Sequence, residues 1–175
     1  MEEQERELLE NRLRIENQLK AGANWFFWIA GLSIINSVAL FLGSQWGFII
    51  GLGITRFIDA IGLMIAEEVG GIGKIIALVL DVIVAGGFVL FGVFARKEYK
   101  WAFIIGMILY GLDGLLFLLV RDLLSMGFHV FALFCIYGGF KAIGGLEGLQ
   151  RERIVKAAPV REDELPPEPR RPGWQ

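Results

Sequence analysis

IIALVLDVIVAGGFVLFGVFA, residues 75–95, carries one charged side chain, Asp81, in an otherwise apolar run. That length matches the ~20 residues a helix needs to cross a ~30 Å hydrocarbon core. Working outward, residues 25–44, 101–120 and 126–143 have the same character. Backbone groups in lipid must be hydrogen-bonded within the protein, so each run is read as a helix. A chain of 175 residues has room for one domain, and 55% hydrophobic residues is far beyond the usage of a soluble one. The sequence therefore predicts an all-α integral membrane protein built on a four-transmembrane-helix bundle.

Charge sets the orientation. The formal net charge of −2 averages charged ends over an almost uncharged middle and gives no reason to expect nucleic acid as a partner. With four spans, one side of the membrane receives Arg6, Arg12, Arg14 and Lys20, then Arg96, Lys97 and Lys100, then Lys141, Arg151, Arg153 and Lys156. The other side receives Arg56, Lys74 and Arg121. The positive-inside rule puts both termini in the cytoplasm. Trp25, Trp28, Trp46 and Trp101 fall near span ends, where amphipathic rings favour the headgroup level. The single cysteine, Cys135, excludes an internal disulfide. The charged N-terminal stretch does not read as a secretory signal peptide, which leaves the first span as the insertion signal.

Three segments flank or interrupt the spans. Residues 1–22 read as a cytoplasmic amphipathic helix, with Leu8, Leu9, Leu13, Ile15 and Leu19 on one stripe, running into the membrane domain at 23–146. The stripe is either solvated with the rest of the helix or docks a partner. Residues 47–71 are apolar yet carry Arg56 and Asp59, and a fifth span there would spoil the charge asymmetry. Arg56, Asp59, Leu63 and Glu67 share one stripe, so this segment is read as an additional outer-face helix, amphipathic or re-entrant; its glycines, Gly47 and Gly51 among them, suit the re-entrant form. Residues 147–175 continue as helix to about Lys156 and end in a Pro-rich cytoplasmic tail that reads as disordered.

Depth gathers the polar residues of the spans into a candidate site. At 1.5 Å per residue, Asn36, Asp81 and Asp113 each lie roughly 10 Å below the outer ends of their spans. The second and third spans are joined by a short loop, so Asp81 and Asp113 are expected to face each other. Ala77, Asp81 and Ala85 recur at helical spacing, as do Ser33, Asn36 and Gly43, which points these groups into the bundle. A charged aspartate at mid-helix costs ~3 kcal/mol on insertion scales. Arg56 could dip in as counter-ion from the segment above, with Asp59 beside it; the acids could share a proton; or a water-filled pocket could solvate them. Tyr110, one turn before Asp113, is a possible hydrogen-bond helper. His129, near the outer end of the fourth span, reads as an interfacial hydrogen bond, and Arg121 with Asp122 as the cap of the turn between the last two spans.

Nothing in the chain resembles a nucleophile constellation, metal-ligand cluster or phosphate loop, so no catalytic residue, metal or cofactor is assigned. The functional expectation is a non-enzymatic structural or accessory subunit in the lipid bilayer that forms a homo-oligomer or joins other membrane subunits. The alternative is a small proton- or cation-coupled channel or transporter using Asp81 and Asp113. An intramembrane enzyme acting on lipid would have only the two acids to work with.

Overall fold

All five prolines of the chain lie at or beyond residue 159, so no residue of the spans lacks its amide donor and long uninterrupted helices are allowed. The computed structural model describes residues 2–43 and 52–157; Trp46, Gly47, Gly51 and the Pro-rich tail lie outside them. Among the described residues there are five helices: α1 (Glu2–Phe41), α2 (Gly53–Val69), α3 (Ile72–Arg96), α4 (Lys100–Leu119) and α5 (Leu123–Ala157). Four of them, α1, α3, α4 and α5, are long and apolar enough to cross a membrane. The amphipathic N-terminal segment and the first span form one continuous 40-residue helix.

The turns are tight and their backbone conformations are specific. Gly70 takes φ 78° between α2 and α3, a left-handed value that glycine adopts without penalty. Glu98 between α3 and α4 and Arg121 between α4 and α5 take φ 67° and 56°, values that non-glycine residues hold only at some cost.

Packing follows the small residues. α1 packs most extensively against α3 and α5, α2 against α3, and α4 against α5. A Cβ added to Gly22 would stand 2.5 Å from the Cα of Gly139, so α1 and α5 touch backbone to backbone. The α2–α3 hairpin closes the same way, a Cβ on Gly62 falling 2.5 Å from that of Ala77. α3 and α4 are joined by a three-residue turn but meet across large rings, Phe88 with Tyr110 and Phe91 with Trp101, at 6.1 and 6.3 Å. Phe26 of α1 sits at the centre, its ring 6.1 to 6.4 Å from those of Phe88, Phe91 and Phe103.

The two ends of the bundle differ. At one, the N-terminal half of α1, the α3–α4 turn and the end of α5 converge: Arg96 hydrogen-bonds Asn24, Lys100 pairs with Glu147 at 2.8 Å, and Leu8, Arg12, Glu98, Leu146 and Arg153 line a groove of about 210 Å³. Of the apolar stripe on α1, Leu19 is buried and Ile15 packs on Gly145, while Leu9 and Leu13 are exposed. The other end carries α2 and the α4–α5 turn. Between the ends the exterior is apolar, with Ile83, Leu90, Ile108 and Phe134 more than half exposed.

Candidate functional site

The first turn of any helix leaves N–H groups without intrahelical partners, and in α2 these fall inside the bundle. Leu52, immediately before α2, is 1% exposed, and its N–H donates to Ser33 Oγ of α1 at 2.7 Å. The Gly53 N–H donates to Asp113 Oδ2 of α4 at 2.7 Å, and the Ile54 N–H to Oδ1 of the same carboxyl at 2.8 Å. The Ser33 hydroxyl in turn donates to the Ile29 carbonyl at 2.8 Å, and the Thr55 hydroxyl to that of Leu52 at 2.8 Å. Only glycine fits at 53, because a Cβ there would meet the Phe117 ring at 2.8 Å. Ser33 lies eight residues before the end of α1 and Asp113 six before the end of α4. At 1.5 Å per residue α2 therefore starts about 12 and about 9 Å below those ends and climbs outward.

His129 of α5 completes this layer. Its Nε2 lies 3.0 Å from Asp113 Oδ2 and its Nδ1 2.8 Å from the Ser125 carbonyl. A carbonyl oxygen can only accept, so Nδ1 carries a hydrogen. The contact between Nε2 and the carboxyl then needs one further proton, held on either partner, and the pair is neutral in both arrangements. The imidazole stacks on Tyr110 at 4.3 Å. The Tyr110 hydroxyl, fully buried, has no hydrogen-bond partner.

Asp81 stands apart from this layer. It is 0% exposed and faces Ser37 of α1 and Asp59 of α2. Neither of its oxygens has a hydrogen-bond partner within 3.5 Å among the described residues. The Ser37 hydroxyl donates instead to Asp59 Oδ2 at 3.1 Å. Ser37, Asp59, Lys74 and Ala77 line a crevice of about 10 Å³, and Asp81 follows Ala77 by one turn on the same face of α3.

The structure thus divides what the sequence expected as one cluster. Asp113 faces the start of α2 and His129, while Asp81 faces Asp59. The two acids do not meet because α2 rises beside them and takes one at its first turn and the other at its second. Arg56 lies over the Phe117 ring, 5.7 Å from its centroid, with Nη1 3.7 Å from Asp122 Oδ2. Asp122 caps α5, accepting the Ser125 N–H at 3.1 Å and the Ser125 hydroxyl at 2.6 Å. These bonds, the hydroxyl's first, hold its carboxyl below the usual range, and Arg56 adds to the effect. Asn36 is half-buried, and Ser37, its neighbour in sequence, is the residue that reaches Asp59.

Sequence reasoning placed Ser33 on the inward stripe of the first span without its partner, and left out Ser37 and the role of His129. The signal for His129 was one of register: α5 begins at Leu123, not near 126, which puts His129 six residues deep, level with Asp113. Among the described residues no group of three or more His, Cys, Asp or Glu could hold a metal ion. Comparison with protein-family models, curated proteins and solved structures finds no match to this chain.

Proposed function

We propose that this chain is a multi-pass membrane protein acting as a non-enzymatic subunit, in which α2 is a re-entrant helix on the outer face and both termini are cytoplasmic. The observation that carries this reading is the first turn of α2, whose N–H groups end on Ser33 and Asp113 inside the bundle. Backbone that leaves helical geometry at membrane depth is tolerated only where protein buries it, and here the Leu52, Gly53 and Ile54 donors each have a protein acceptor. The exposed face of α2, with Phe57, Ile61, Met64 and Ile65, is apolar, as lipid requires. Asp113 and His129 direct their hydrogen bonds to α2 and to Ser125, which argues for a structural lock and against a catalytic pair. The Lys and Arg residues gathered around the end that holds the termini support its cytoplasmic side.

Association is supported by glycines that the fold does not use. Gly31, Gly86 and Gly87 have open space where a Cβ would stand, and in lipid such surfaces let another helix approach closely. The test is the mass of the purified protein in lipid nanodiscs. A defined homo-oligomer or a stoichiometric co-purifying subunit is expected, with Gly87→Leu returning a folded monomer; a wild-type monomer without partners overturns the subunit reading.

A second reading, a small proton- or cation-coupled channel or transporter, is favoured by the buried and unbonded oxygens of Asp81. It expects Asp81→Asn to abolish cation or proton flux into proteoliposomes with the helical content retained. Unchanged flux in that variant excludes it.

A further inference from the structure

The Asp113 layer is closed on itself, but the neighbouring group is not. Asp81 is 0% exposed with neither oxygen hydrogen-bonded among the described residues, an unfavourable arrangement unless something besides the polypeptide completes it. Across from it stand Asp59 and Ser37, already bonded to each other at 3.1 Å. The Ser37 hydroxyl has one hydrogen and lies between Asp59 and Asp81, so it cannot satisfy both carboxyls at once. Ser37 and Asp59, the polar side chains facing Asp81, bring three oxygens and a single hydroxyl hydrogen to it, a set suited to a positive charge.

Charge bookkeeping sets its size. Asp59 and Lys74 line the crevice and Asp81 lies one turn beyond its Ala77, facing Asp59; the three sum to one net negative charge when all are ionised. Lys74 lines the crevice without forming an ion pair with either acid among the described contacts. A volume of about 10 Å³ admits about one water-sized particle and nothing larger. A divalent ion would overcompensate the charge.

We infer that Ser37, Asp59 and Asp81 form a binding site for one monovalent cation, a proton or an alkali ion, reached through the crevice beside Lys74. The inference rests on the cation-coupled reading for the importance of Asp81, and it holds whether or not the bound ion crosses the membrane. Binding fixes α2 against α1 and α3, because the site's three residues come one from each helix.

The experiment uses the full chain in nanodiscs, a hydrophobic carbodiimide and mass-spectrometric mapping of the labelled carboxyls, across a pH series in sodium-free buffer and again with sodium. The reagent attacks protonated acids in apolar surroundings. If the site holds sodium, labelling at Asp81 falls about tenfold with sodium at about ten times its dissociation constant. If it holds only a proton, labelling falls about tenfold per pH unit on the alkaline side and ignores sodium. In either case Asp59→Asn shifts the profile, and Ser37→Ala, which preserves both acids, weakens the sodium effect or moves the pH midpoint. Labelling at Asp81 that is absent at every pH in folded protein, or unmoved by pH, sodium and Asp59→Asn, overturns the inference. Flux measured on the same samples separates the readings: ion-sensitive labelling without flux retires the transporter and leaves the site.

Discussion

At Asp113 a single carboxyl satisfies two backbone donors and one imidazole, and no other side chain of its size can do so. Asparagine keeps one acceptor and turns an N–H₂ toward one of the two α2 amides, leaving a buried donor unmet. Asp113→Asn is expected to cost about 1 to 3 kcal/mol of stability, read from denaturant unfolding in mixed micelles. Tyr110 presents the opposite case. Its ring stacks on His129 while its hydroxyl is buried without a partner. Tyr110→Phe removes only the unmet group, so unfolding is expected to be unchanged or shifted by up to about 1 kcal/mol in favour of the fold. A marked loss of stability in Tyr110→Phe would show that the hydroxyl has a partner in the membrane.

At the level of elements, the helix starts are where this bundle uses its polar side chains. α2 begins on acceptors borrowed from α1 and α4, whereas α5 carries its own cap, Asp122, bonded to Ser125. Asp122→Ala is expected to cost about 1 kcal/mol at neutral pH. Because the folded state holds the Asp122 carboxyl below its ordinary range, the cap's contribution is complete above that range and is lost as pH falls through the folded value. Unfolding curves of wild type and Asp122→Ala should therefore converge in acid, and a difference that persists there would mean the cap is not electrostatic. The α1–α5 crossing is set by Gly22 against Gly139. Gly22→Leu overpacks that crossing and is expected to destabilise by about 1 to 3 kcal/mol or separate the helices, visible as loss of cross-linking between cysteines placed at Ile15 and Gly145, which touch across it.

For the whole molecule, four apolar helices with α2 turning back predict that the α1 and α5 ends share one side and the α2–α3 turn lies on the other. With Cys135 replaced by Ala, single cysteines at Glu5 and Gly71 should react with an impermeant thiol reagent from opposite sides of sealed vesicles. Reaction of both from the same side would mean that α2 crosses and the bundle has five spans.

The spans and the inward faces of Asp81 and Asp113 were legible in the sequence, because length, hydropathy and helical spacing are properties of each segment alone. Residues 75–95 declare a membrane helix without reference to any neighbour. Which acid meets which partner was not legible, since that depends on where α2 starts and on how closely the glycine crossings draw the helices together. A shift of one turn moves a side chain about 5 Å along its axis and into a different set of neighbours. Register and apolar character came from the chain; the pairing of Asp113 with the α2 amides and of Asp81 with Asp59 came from tertiary packing, where backbone donors buried away from water must find acceptors.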